Sequence, residues 1–386
     1  MSDTSISSAP MNKAARPTFI GLVLGLAALG GVAPVPSAQA QEIGQLSAPA
    51  QSDSDVPLSV KDASAPVREA VAAFEAGEVE KAAQIATRAA EAGDPQAQVL
   101  IGTMYQDGLG VEQDYQQAAS WYQKAVAQND SEAQFSLAIL TAQGKGVARD
   151  EVRARALMKA AAESGLLAAM DEYALMLAAG AGGPKDMKAA AQWFSKAADQ
   201  GYAEAQYHLG SMIAAGDGGF APNLKNAITM FERAATQGQP MANYALGRLY
   251  LDGDGVPQDD TKAAEYLAVA AGAGVVPAQT ALGYLYLLGD GVEKNAQLAG
   301  VLFSRAAISG DPMAQTQLAR SFFLGRGTPQ NIPAALAWLT IAEDNGGSDE
   351  ELRAAMEPDL TSEIRAQAST LVTTWKNRGE PPGLTQ

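Results

Sequence analysis

His208 is the single histidine of a 386-residue chain that has no cysteine. A lone imidazole has no metal co-ligand of its own type, and no serine and acid stand at helical spacing to make it a general base. It reads as a packed or half-exposed polar group. The missing thiols remove disulfides, thiolate nucleophiles and Cys-ligated zinc together. Asp252-Gly253-Asp254-Gly255 opens like a calcium loop, but Val256 and Pro257 stand where the third ligand and the turn glycine are needed. Gly-x-Gly returns seven times, yet it follows helical patterns and nowhere runs into Gly-Lys-Ser/Thr, so it is no phosphate cradle. Acidic pairs such as Asp259-Asp260 and Glu350-Glu351 are helix-start charges favoured by the dipole. No catalytic, cofactor or metal site is therefore expected, and no enzyme. The side chains left with something to offer are Phe135, Tyr207, Tyr244, Arg248, Leu251, Tyr284, Leu287, Arg320 and Phe323. Aromatic and arginine groups are what interface hot spots are made of.

These residues are placed by a repeat. The stretch from Gly93 to Tyr122 returns every 36 residues, once 37, down to Trp338. With Gly93 counted as zero, offset 15 is glycine in all seven units, from Gly108 to Gly325, and so is offset 17, from Gly110 to Gly327. Composition cannot produce that agreement; it is a tandem array. Within a unit, Ala97, Ile101, Gly102, Met104 and Tyr105 lie on one helical face and predict a helix A over residues 94–107. Gly108 and Gly110 stop it, because glycine accepts the left-handed conformation at no steric cost. Asp114 and its counterparts Asp150, Asp186, Asn223, Asp259, Asn295 and Asn331 can each accept from the free N–H groups that open a helix B. Helix B buries Ala118, Trp121, Tyr122 and Ala125 and ends at a glycine, with Asn129 substituting once. Small residues at offsets 4 and 9 bring helices close, and the aromatics of helix B fill the space beyond.

The pattern Ala-x-x-(Trp/Tyr/Phe)-(Tyr/Phe)-x-(Lys/Arg)-Ala-Ala-x-x-Gly-x-x-x-Ala-Gln-x-x-Leu-Gly-x-x-Tyr-x-x-Gly-x-Gly-Val, clear in Ala190 to Gly218, Ala227 to Val256 and Ala263 to Val292, resembles the Sel-one-like repeat, a relative of the tetratricopeptide repeat. The resemblance covers roughly residues 78 to 346 and implies an all-α, right-handed α-solenoid of tandem helix-turn-helix units. Gly183 and Gly219 depart from it where valine is usual, the loop Gly218 to Pro222 carries an extra residue, and the unit at 166–201 lacks the Gln and Leu-Gly core. In such a stack helix A lines the concave side. Offsets 3, 6, 10 and 13 are assigned to its free face, which is where the nine residues named above fall. Arg248 and Arg320 share one offset with Tyr284 between them, a row suited to an extended acidic or aromatic-bearing segment.

A net charge of −16 and an isoelectric point near 4.5 argue against a nucleic-acid partner. At the start, Lys13 and Arg16, the apolar run from Phe19 to about Val32 and Ser37-Ala38-Gln39-Ala40 have the layout of a secretory signal peptide cleaved after Ala40. The run is too short for a comfortable membrane span. Residues 41–65 read as a flexible linker and 66–93 as a capping hairpin, followed by seven units over 94–346. Capping helices are expected over 347–378, with a capping box at Ser348 to Glu351 and an apolar face of Ile364, Ala368, Leu371, Val372 and Trp375. The tail at 379–386 reads as disordered. The function expected is a periplasmic or secreted scaffold or adaptor that binds a protein. By resemblance, that partner is a membrane sensor or an envelope assembly. A carbohydrate-binding or polysaccharide-export component, with tyrosines stacked on sugar rings, is the second reading.

Overall fold

The structure, a computed structural model, describes residues 63–384. The signal-peptide reading and most of the linker fall outside them. Eighteen helices follow one another among the described residues, with no strand between them. The leading hairpin is α1 (Ala65–Glu75) and α2 (Val79–Glu91). Seven A/B pairs come next: α3 (Pro95–Asp107) with α4 (Tyr115–Val126), α5 (Ser131–Gln143) with α6 (Glu151–Glu163), α7 (Leu167–Ala179) with α8 (Met187–Asp199), α9 (Ala203–Ala215) with α10 (Leu224–Ala235), α11 (Pro240–Asp252) with α12 (Asp260–Gly272), α13 (Val276–Leu288) with α14 (Ala296–Ile308), and α15 (Pro312–Leu324) with α16 (Ile332–Asp344). The chain closes with α17 (Glu350–Met356) and α18 (Ser362–Arg378). Each A helix packs on its own B helix, and each B helix on the next A, so the core is a line of linked clusters instead of one centre.

Local chemistry sets the hairpin. Every A helix of the repeats ends on its offset-15 glycine in the left-handed region, Gly108 at φ 73° and Gly325 at φ 64°. The second glycine of each loop has a further duty: a Cβ on Gly146 would run into the backbone of Tyr115, at the start of the preceding B helix. That loop touches its neighbour backbone to backbone, which no side chain permits. All seven B helices are opened by the expected Asp or Asn, whose side-chain oxygen accepts from an N–H two or three residues on. Asn129 takes the left-handed conformation at φ 62°. At offset 9, a Cβ on Gly102 would meet Tyr122 at 2.6 Å and one on Gly283 would meet Phe303 at 2.7 Å. The close crossing of A and B depends on the missing side chain.

A polar clamp ties successive units together, and its role is invisible in periodicity. The glutamine at offset 5 is buried, as at Gln98 and Gln315. Its amide Nε2 donates back to a last-turn carbonyl of the preceding B helix: Gln98 to Ala90 at 3.1 Å, Gln206 to Ala198 at 3.3 Å, Gln279 to Ala271 at 3.2 Å and Gln315 to Ala307 at 3.0 Å. Its Oε1 accepts from the residue that ends its own unit's B helix: Gln128, Gln237 and Asn345, each at 3.0 Å. Where the ending residue is a serine, the clamp is half made. Ser164 and Ser309 turn back to their own helix carbonyls, and the Oε1 atoms of Gln134 and Gln279 are buried without a partner.

The C-terminal end differs from the sequence expectation in two places. The N-cap of α17 is Asp349, which accepts from the Leu352 N–H at 2.9 Å, one residue beyond the expected Ser348. The tail read as disordered is seated through Leu384. The Trp338 indole N–H donates to the Pro382 carbonyl at 2.8 Å, and Leu384 joins the last apolar cluster. Composition predicted a free tail because it cannot register one buried indole N–H that needs an acceptor. Ala368 is the buried residue of α18, and Ile364, Leu371, Val372 and Trp375 of the same helix pack on the last apolar cluster.

Candidate interaction surface

Successive A helices touch one another through offsets 6, 7 and 10. His208 Nδ1 lies 2.9 Å from Asp171 Oδ1 of the preceding A helix, with its ring against Phe194 and Tyr207 at centroid distances of 5.1 and 5.3 Å. The imidazole is thus a packed polar group. Its buried partner Asp171 was not legible, because the two residues sit one unit apart in unlike positions. Among the described residues no three His, Cys, Asp or Glu side chains gather as metal ligands.

The nine residues expected on the free face divide into three groups. Phe135, Tyr207, Tyr244 and Tyr284 belong to the packed wall. Tyr244 is only 7% exposed, which corrects its placement as a partner-binding residue: its ring packs with Leu267 and Leu282. Tyr284 stands edge-on to the buried Phe303 at 5.3 Å, and desolvation pushes its phenol up to about 12, against the lowering effect of the Gln317 hydrogen bond. Tyr207 contacts Phe231 at 5.9 Å and is likewise raised by burial. Phe135 packs half-buried on the cluster around Met170 and Tyr173. Of the three tyrosines only Tyr244 is buried; Tyr207 and Tyr284 are half-buried.

The two arginines form the second group, and both are engaged within the chain. Arg248 pairs with Asp252 at 3.1 Å on its own helix. Burial works against its charge, but the oxygens of Tyr244 and Asp252 outweigh burial and hold the guanidinium above its ordinary range. Arg320 grips Asp349 with two nitrogens and reaches Glu351 at 3.1 Å. The extended acidic segment that the arginine row suggested is, at Arg320, supplied by the chain's own C-terminal cap. This corrects Arg320 as a contact for a foreign partner. Sequence alone cannot show that α17 folds back over offset 10 of the last repeat.

Leu251, Leu287 and Phe323, the third group, are half-buried at the ends of α11, α13 and α15. The structure adds their unpredicted neighbours. The last two residues of the A helices run Gln106-Asp107, Ala142-Gln143, Ala178-Ala179, Ala214-Ala215, Leu251-Asp252, Leu287-Leu288 and Phe323-Leu324. Along one edge of the array the surface passes from polar through small to large and apolar. Leu288 is 40% exposed, and Leu251, Leu287, Phe323 and Leu324 beside it are half-buried. The signal for Leu288 was in the sequence: it stands where earlier units have Asp, Gln or Ala. Apolar side chains of that size left in water mark interaction sites when they gather on one edge.

The architecture is an all-α solenoid of helical hairpins with an apolar edge at one end. The model of the Sel1 repeat matches seven times, at residues 95–130, 131–166, 167–202, 203–239, 240–275, 276–311 and 312–347, so the chain belongs to the Sel1 repeat family. Sel1 repeats form a non-catalytic protein–protein interaction scaffold. Among solved structures, the chain is similar to a Sel1 repeat protein from Oxalobacter formigenes, 30% identical, covering 78% of this chain and 83% of that one with a TM-score of 0.57. It is also similar to a protective antigen with the same repeat fold from uropathogenic Escherichia coli, 26% identical over 80% of this chain and 83% of that one, with a TM-score of 0.40. An immunity protein from Pseudomonas aeruginosa is 24% identical over 62% of this chain and 81% of that one, with a TM-score of 0.38. No curated protein matches the chain.

Proposed function

We propose that this protein is a non-enzymatic adaptor of the bacterial cell envelope, exported by its N-terminal segment, that binds a protein partner along the edge where its last three A helices end. The observation that carries the reading is the passage from Gln106-Asp107 to Phe323-Leu324 at equivalent positions, with Leu288 left 40% exposed. The first two units carry polar groups at that edge and the next two carry only alanines, so large apolar side chains there are not needed to build the hairpin. Envelope location rests on the signal-peptide layout of Met1 to Ala40. Regulation of a membrane sensor or support of an envelope assembly is the role that fits both features.

The test is photo-crosslinking in intact cells. A photoreactive residue replaces Leu288 or Phe323 on the edge, or Glu232 or Glu265 on the B helices. Adducts with one protein from the first pair only are expected. Adducts only from the second pair, or from none of the four, would overturn the reading. Fractionation checks the location: recovery of the full-length chain in the cytoplasm with residues 1–40 intact would refute export.

A further inference from the structure

The apolar edge has charged points beside it, and their order specifies what lies on it. Two residues past the last residue of each A helix, at the tip of the turn, stand Asp254, Asp290 and Arg326 in the last three units. All three are exposed, and none forms an ion pair among the described residues. Neighbouring charges do not change the sign of these points. Lys262 pairs with Asp259 at 3.9 Å on the helix-B side, and Glu293 and Lys294, adjacent in one loop, offset each other. The negative points are strengthened by the fold, since α11 and α13 direct the negative ends of their dipoles at this edge, where cations are favoured. At the third point Arg326 reverses the sign.

From this we infer that the occupant of the edge is an amphipathic helix of the partner that lays an apolar stripe on Leu251, Leu287, Leu288, Phe323 and Leu324 and carries, along one flank, two basic residues followed by an acidic one. Spacing follows from helix geometry. Packed helices stand about 8–10 Å apart, so the three charged points recur at about that interval, and a residue rises about 1.5 Å along a helix. That interval corresponds to about five to seven residues, and of these only about seven, two full turns, keeps the flanking charges on one side of the stripe. Because the order is basic, basic, acidic toward the C-terminal cap, it fixes both register and direction. A wrong direction would set like charges together at two points. The inference rests on the proposed interaction edge and deepens it by naming the partner's chemistry.

The experiment uses the full mature chain and three synthetic helical peptides of 21 residues (three heptads at about 3.6 residues per turn) sharing one leucine stripe. Peptide one has Lys, Lys and Glu at successive heptad flank positions, peptide two has Glu, Glu and Lys, and peptide three has the residues of peptide one scrambled. Fluorescence anisotropy should show saturable binding of peptide one, weakened by salt, and at least tenfold weaker binding of the other two. Asp254→Asn with Asp290→Asn should weaken peptide one about tenfold or more, while Glu232→Gln with Glu265→Gln on the B helices should leave it unchanged. Equal binding of peptides one and three, or indifference to the aspartate pair, would overturn the inference. If crosslinks form at Leu288 in cells while peptide one does not bind, the edge stands and this occupant falls. If no crosslink forms there, the edge itself falls.

Discussion

Replacing Ser309 by glutamine should stabilise the protein, because it completes an interaction that the fold has prepared. Gln279 Nε2 donates to Ala271 at 3.2 Å, yet its Oε1 is buried with no partner. In the next unit Asn345, at the position equivalent to Ser309, donates to Gln315 Oε1 at 3.0 Å. Gln128 and Gln237 do the same for Gln98 and Gln206. A buried acceptor left alone costs about 1–3 kcal/mol and a hydrogen bond contributes about 1 kcal/mol net. Ordering a glutamine side chain costs up to about 1.5–2 kcal/mol, leaving a gain of about 1 kcal/mol. With an unfolding entropy of about 2 cal/mol/K per residue over residues 63–384, the gain raises Tm by about 1–2 °C. Ser164→Gln, which faces the orphaned Gln134 Oε1, should add a similar increment, since distant units contribute independently. The converse substitution, Gln237→Ser, should lower Tm by about the same amount. Calorimetry on the three variants decides. A Ser309→Gln protein that melts at or below the parent, together with a Gln237→Ser protein that melts with it, would show that the clamp adds nothing to stability.

Other perturbations follow from the same geometry. Gly247→Leu should cost about 1–3 kcal/mol by overpacking, because even a Cβ there meets Leu267 at 2.7 Å; a parental melting temperature would refute the assigned buried face. Asp349→Ala should cost about 3 kcal/mol, since it removes a helix cap and leaves the half-buried Arg320 without its main partner. The loss should appear as early proteolysis within α17 and α18. Burial raises the folded pKa of Tyr284 from the ordinary 10.0 to about 12, so the unfolded phenol ionises first and stability falls as pH rises from about 10 to about 12. Tyr284→Phe should flatten the alkaline limb, and an unchanged limb would refute the burial of that ring. Trp338→Phe should release the tail by removing the bond to Pro382, detected as faster amide exchange at residues 383–384 with the remaining helices unchanged.

Much of the fold was legible because its rules act within a few residues. The left-handed glycines, the Asp and Asn caps and the small groups at offset 9 each satisfy a local requirement, and seven copies make the requirement unmistakable. The site was legible only in part. Leu251, Leu287 and Phe323 lie on the apolar edge, but Leu288 was overlooked because a leucine in an amphipathic helix is read as core. Tyr244 and Arg320 were assigned to open surface because a helical face away from its own hairpin partner looks free until the next unit covers it.

The amino-acid order alone determined the period, the helix ends and the pairing of A with B, since propensity, capping and the close approach of glycine to an aromatic ring are encoded within one hairpin. Only the tertiary structure decided what the stack of units leaves exposed. Contacts across about one period of chain, such as Asp171 with His208 and Arg320 with Asp349, depend on how far each unit is rotated and shifted against the last. That displacement is the sum of many small packing choices. It turned Tyr244 inward, closed Arg320 with the chain's own cap, and left Leu288 at the end of α13 facing water.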